Sequence, residues 1–160
     1  MPCYHFIFHG HGTWMPDVDD GYVTRDDGHL PQDTAMAARY RDLMVEEEVT
    51  FTEDQEQTMI DEVHVAAGKQ KFRVHYIATE PTHIHILVSW KDDRPFEKLR
   101  ASIRQSISRR LGKDYERRTW LSEGGSRRKV SSQEHFDYLV AIYLPKHGGW
   151  KWSEERGLFR

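Results

Sequence analysis

Two pairs of residues in this chain have the types and spacing for chemistry. The first is His83 and His85, separated by Ile84 within PTHIHILVSW. In an extended strand, residues two apart share a face. Both imidazoles therefore project from one side, one pleat apart, close enough to hold a single cation. Ile84, Ile86, Val88 and Trp90 form a core stripe on the opposite side. The second pair is Tyr143 and His147 in YLPKHGG, four residues apart and so on one helical face. If that helix crosses the open face of the sheet, His147 completes a three-histidine site with the Tyr143 phenol one turn away. A cation that neutralises a phosphate beside a tyrosine hydroxyl is an arrangement for attack on phosphorus. Tyr138 is the rival nucleophile, but the residue four after it is Ile142, which binds no metal. An isolated His-x-His is weak evidence, and the third ligand is what gives it weight.

The elements that must position these residues follow from periodicity. CYHFIFH (3–9) reads as a strand with Tyr4, Phe6 and Phe8 on one face and His5, Ile7 and His9 on the other. Residues 10–33 are rich in Gly, Asp and Pro and read as an irregular acidic insertion. A helix is expected over 34–48 with Asp33 as its cap. A second follows from Thr52, whose spacing to Gln55 is that of a capping box, and Gly68 marks its stop. KFRVHYIATE (71–80) and HIHILVSW (83–90) read as a hairpin, with Phe72, Val74, Tyr76 and Ala78 on one face of its first strand. Phe96, Leu99, Ile103, Ile107 and Leu111 define an amphipathic helix. TWLSEGGSRRKV suggests a broken strand, and SSQEHFDYLVAIYLPKHGGW a helix ending near Gly148 and Gly149. The order is βαββαβ, an α+β ferredoxin-like antiparallel sheet with an added C-terminal helix that carries the tyrosine. Residues 1–160 read as a single domain.

Cys3 is the only cysteine, so no intrachain disulfide forms and a reducing, cytoplasmic setting fits. No segment has the roughly 20 apolar residues of a membrane helix. The net charge of −3 hides a segregation. Residues 16–62 hold 15 acidic and 3 basic residues, whereas residues 94–129 hold 12 basic and 4 acidic ones. Cations gathered in this way point to a polyanionic partner. Arg100, Arg104, Arg109 and Arg110 fall on the polar side of the amphipathic helix that carries Phe96 to Leu111. Arg104, Arg127, Arg128 and Lys129 are candidate phosphate contacts, and Trp120 is either a base-stacking platform or a core anchor. Trp14, Trp150 and Trp152 read as lids or as packing. His5, His9 and His75 are assigned at most a supporting place around the site.

Four blocks resemble one family. PTHIHILV is similar to the His-hydrophobic-His motif of the single-tyrosine HUH transposases, whose usual form is close to Pro-Asn-His-Val-His-Leu-Leu-Val. YLPKHGG resembles their tyrosine helix. TWLSEGGSRRKV and HGTWMPDVDDGYV resemble segments of the branch related to the REP-associated tyrosine transposases. The blocks occur in the expected order from Tyr4 to about Gly149. The resemblance implies a ferredoxin-like domain that binds single-stranded DNA near a hairpin and cleaves it with the tyrosine. The products are a 5′-phosphotyrosine link and a free 3′-hydroxyl, and the reverse step rejoins strands. Carried over residue by residue, Tyr143 is the nucleophile, and His83, His85 and His147 hold a divalent metal ion, Mg²⁺ or Mn²⁺. Dimers and monomers both occur in the family, so a homodimer is compatible. The alternative is a catalytically inactive module of the same fold that binds hairpin DNA or RNA.

Three departures from the pattern bear on the site. His147 stands where the family commonly has an amide side chain, and three imidazoles favour Mn²⁺, Co²⁺ or Zn²⁺ over Mg²⁺. Thr82 and Glu80 stand where Asn and Met are common. Pro145 lies between Tyr143 and His147, where it removes the bond to the Ala141 carbonyl and disfavours helical geometry at Leu144. A kink there is expected to remodel the site.

Overall fold

Alternation makes the central strands two-faced, and both faces are used. The computed structural model describes residues 1–13, 22–24, 28–43, 47–117 and 119–160. The strands are β1 (Cys3–His9), β2 (Tyr22–Thr24), β3 (Gly28–Leu30), β4 (Phe72–Glu80), β5 (His83–Trp90), β6 (Arg127–Lys129), β7 (Lys151–Ser153) and β8 (Gly157–Phe159). The α-helices are α1 (Thr34–Leu43), α2 (Glu53–Gln70), α3 (Phe96–Asp114) and α4 (Gln133–Tyr138). The main sheet has the order β6-β1-β5-β4-β7-β8 with antiparallel neighbours throughout. Its first four strands have the ferredoxin-like arrangement that βαββαβ requires.

The helix side of this sheet is the principal core. Phe6, Phe8, Ile77, Ile84, Ile86 and Val88 are wholly buried there with Met59 and Val63 of α2 and Leu99, Ile103, Ile107 and Leu111 of α3. α2 starts at the expected capping box, with reciprocal bonds between Thr52 and Gln55. It runs past Gly68 and closes at Lys71, which takes left-handed geometry (φ 60°). The Asp33 carboxylate accepts from the Met36 N–H, as a cap of α1 does.

Three expectations are corrected. α1 is assigned only to Leu43. Within 10–33, β2 and β3 pair as a small antiparallel ribbon, so the insertion is not irregular throughout. Trp14 and most of the acidic residues of that segment lie outside the described residues. The third correction is in β4. Its register slips between Val74 and Tyr76. The bulge puts one extra residue into the strand and reverses its alternation. Phe72 and Val74 stay in the helix-side core, whereas Tyr76 and Ala78 turn to the other face. His75 bonds there to the Ser89 hydroxyl (2.7 Å) and to Glu154 (2.6 Å). The C-terminus adds two strands for which the sequence carries no expectation. β7 pairs with β4 and β8 pairs with β7, extending the sheet by a hairpin that the alternation in WKWSEERGLF is too short to announce.

The tyrosine-bearing segment covers the second face of the sheet. α4 begins at Ser132, whose hydroxyl accepts from the His135 N–H. It passes into a π-helical turn over Leu139–Tyr143 and a 3₁₀ turn over Leu144–Lys146. The Leu144 N–H bonds to the Leu139 carbonyl, five residues back. Leu144 keeps right-handed helical geometry (φ −66°, ψ −37°), so the expected exclusion by Pro145 does not occur. Pro145, which has no N–H to offer, stands in the 3₁₀ turn just past the π turn. Leu139 and Leu144, five apart, both lie buried on this face with Tyr76, Ala78, Leu87 and Val130.

Candidate active site

β5 contributes His83 and His85 to the face covered by this segment. His83 is half-buried and His85 is 2% exposed. β1 lies alongside, with Ile7 opposite His85 and His9 opposite His83. His147 follows the 3₁₀ turn in extended geometry (φ −68°, ψ 139°) and is not helical. It still reaches the pair: the His85 and His147 ring centroids are 4.0 Å apart. One ring nitrogen from each of His83, His85 and His147 lies within 4.8 Å of the other two. The Tyr143 ring stands edge-on to His147 (5.3 Å) and His85 (5.7 Å). Tyr138, 47% exposed, stacks on Tyr143. Tyr115 is on the helix side, bonded to Thr58.

Hydrogen bonding selects the nitrogen that each ring presents. His147 Nδ1–H donates to the Leu144 carbonyl (3.0 Å), which fixes its tautomer and leaves the Nε2 lone pair. His83 Nδ1 bonds to the Thr82 hydroxyl (2.9 Å). Thr82 thus supports the ring. His85 Nδ1 bonds to His5 Nε2 (2.9 Å), and His85 Nε2 is buried with no hydrogen-bond partner. A buried polar atom without a partner costs about 1–3 kcal/mol unless something completes it. Three ring nitrogens within reach of one ion, with the buried His85 Nε2 orphaned, fit a divalent cation of the borderline class.

Electrostatics favour the ligand form of these rings. Burial, with the neighbouring His147, His5, His83 and His9, holds His85 far below the ordinary imidazole range. Burial pushes His5 down to about 4, helped by His147, Arg128 and His135. It pushes His9 down to about 4 as well, helped by His83 and Arg100. His83 is lowered by burial and by His147, against a weaker pull from Glu80. Neutral imidazoles keep lone pairs for a metal.

The turn that delivers His147 is pinned on several sides, a support the sequence did not announce. Lys151, 6% exposed, donates to the His147 carbonyl (2.7 Å) and the Gly149 carbonyl (3.0 Å). The Gly148 N–H donates to Glu80 (2.8 Å) and the Gly149 N–H to the Thr79 carbonyl (2.9 Å). A Cβ on Gly149 would lie 2.3 Å from the Thr79 carbonyl oxygen and 2.8 Å from Glu56 Oε2, so only glycine fits.

The basic residues do not form one surface around the site. α3 packs on the far side of the sheet and takes Arg104 with it. Arg110 pairs with Asp61 and Asp114. Arg100 is 4% exposed and donates to the Ile7, Glu123 and Gly124 carbonyls. In β6, Arg128 opposes His5 and shares the histidine face, whereas Arg127 and Lys129 oppose Phe6 and Tyr4 on the helix face. Trp120 is 4% exposed with its indole N–H on the Arg117 carbonyl, so it is a core anchor with no ring face free for a base.

Two solved structures share this architecture. A REP-associated tyrosine transposase bound to a REP hairpin superposes with a TM-score of 0.50 at 8% identity, over 90% of this chain and 70% of that one. A candidate transposase from Deinococcus radiodurans gives a TM-score of 0.50 at 11% identity, over 93% of this chain and 94% of that one. The chain has the fold of a tyrosine transposase. No family model matches it, and no curated protein resembles it in sequence. In this fold the β5 histidines lie under a C-terminal helical segment, on the sheet face that α2 and α3 leave open.

Proposed function

We propose that this protein is a metal-dependent tyrosine transposase that cuts and rejoins single-stranded DNA beside a hairpin. The observation that carries this reading is the convergence of one ring nitrogen from each of three imidazoles, with the Tyr143 ring packed against two of the same rings. A divalent cation held by His83, His85 and His147 supplies charge neutralisation and polarisation of a phosphodiester oxygen. The chain's own residues do the rest. The Tyr143 oxygen forms a bond to phosphorus as the bond from phosphorus to the 3′-oxygen breaks. The phenolic proton is given up and the departing 3′-oxygen gains one, leaving a 5′-phosphotyrosine and a 3′-hydroxyl. One phosphodiester replaces another, so attack by a 3′-hydroxyl reverses the step without an energy source. Arg128, exposed on the histidine face, is a candidate for a backbone phosphate contact. A hairpin-flanked single strand is the proposed substrate class, because the family resemblance and the hairpin-bound structural neighbour both point to it.

The test is incubation with a labelled hairpin oligonucleotide and Mn²⁺, followed by denaturing electrophoresis. A labelled band at the mass of the protein that vanishes with chelator and in Tyr143→Phe is expected. Persistence of that band in Tyr143→Phe overturns the assignment of the nucleophile. Tight hairpin binding without any covalent band from the parent protein favours the non-cleaving module.

A further inference from the structure

One buried side chain beside the three histidines has no part in the proposed chemistry. His5 is 5% exposed in the middle of β1. It bonds to His85 and touches Tyr143 edge-on (ring centroids 5.9 Å). Its ring lies nearly parallel to that of His85, at 5.1 Å and 19°. The bond between His5 Nε2 and His85 Nδ1 joins two neutral imidazoles, so it has two proton registers. In one, His5 donates; His85 then carries its proton on Nε2, where it is a buried donor with no partner and no lone pair. In the other, His85 Nδ1–H donates to the His5 lone pair, and His85 Nε2 is free to ligate. Only the second register makes His85 a metal ligand. Hydrogen-bond partners on the far ring nitrogen commonly fix ligand tautomers in this way and raise ligand basicity.

We infer that His5 is a positioning residue that sets His85 in its Nδ1–H tautomer, aims His85 Nε2 at the cation and supports Tyr143 from below. The inference rests on the metal site proposed above. Thr82 and the Leu144 carbonyl perform the same orienting task for His83 and His147. His5 differs in contacting a ligand and the nucleophile together, which couples the two halves of the site through one ring.

The test is Co²⁺ binding by titration calorimetry on the full chain, with ¹⁵N imidazole spectra of the metal-free protein. His5→Phe keeps an aromatic ring beneath Tyr143 and removes the acceptor. His5→Gln restores an acceptor near the Nε2 position. We expect His5→Phe to weaken Co²⁺ binding about 10- to 100-fold and His5→Gln to recover most of it. The parent spectra should show His85 protonated on Nδ1. Unchanged Co²⁺ affinity in a folded His5→Phe, or parent His85 protonated on Nε2, overturns the role of His5 and leaves the metal site standing. If His5→Phe does not fold, the parent spectra and His5→Gln decide. A parent protein that binds no Co²⁺ defeats the metal site itself, and the inference with it.

Discussion

At the scale of the residue, the site depends on keeping several imidazoles uncharged in a small volume. Removing the orphaned ligand should be the most damaging single change. His85→Ala is expected to abolish measurable Co²⁺ binding, and binding within about threefold of the parent would contradict the ligand assignment. The same burial sets the response to acid. In the unfolded chain imidazoles take up protons near 6.5, whereas His5 and His9 in the fold do so only near 4. Between those values unfolding takes up protons, so stability falls as pH drops through that window and is fully present above it. The melting temperature of the metal-free protein should drop by several degrees between about pH 7 and about pH 5. His9→Asn should make that slope shallower. A melting temperature that is flat over this range would show that these rings are not desolvated in the fold.

At the scale of the element, the delivery of His147 rests on the turn after the 3₁₀ segment. Gly149→Ala forces a Cβ against the Thr79 backbone and Glu56. It should destabilise the protein by about 2 kcal/mol or more and weaken Co²⁺ binding, both readable by thermal melting and calorimetry. An unchanged melting temperature would mean that the turn yields freely. This is also where the sequence was least legible. His83, His85 and the Ile84–Trp90 core stripe could be read directly, because strand alternation depends only on neighbours along the chain. The capping box at Thr52 and Gln55 was legible for the same reason. The bulge at His75 was not, since Tyr76 and Val74 are both acceptable on either face and the slip is decided by pairing with β5. The π turn was masked by Pro145, whose local preference pointed to a kink. The spacing of five between Leu139 and Leu144 was the available signal for the turn. β7 and β8 depend on the exposed edge of β4, and three-residue strands carry too little periodicity to be seen alone.

At the scale of the whole molecule, the charge segregation has a structural division behind it. α3 buries its apolar stripe against the face opposite the histidines, so most of its arginines cannot line the site, whatever their number. Arg128 is placed on the site face, whereas Arg110 is tied to Asp61 and Asp114 on the other. Arg128→Ala should therefore weaken hairpin binding and reduce the salt dependence by about one phosphate contact, while Arg110→Ala leaves both nearly unchanged. Equal effects of the two, measured by fluorescence anisotropy across a salt series, would mean that DNA follows the helix face instead. Among the described residues no helix is long and apolar enough to cross a membrane.

The claim that His83, His85, His147 and Tyr143 form one site is tested most directly by locating the residue that becomes joined to DNA. The protein is incubated with a hairpin oligonucleotide and Mn²⁺, digested with nuclease and trypsin, and the nucleotide-bearing peptide is sequenced by mass spectrometry. The peptide over 130–146 contains both Tyr138 and Tyr143, so fragment masses distinguish them. The added nucleotide mass is expected on Tyr143 and is lost in His85→Ala. Added mass on Tyr138 or Tyr115, or a Tyr143 adduct that forms undiminished in His85→Ala, would contradict that claim.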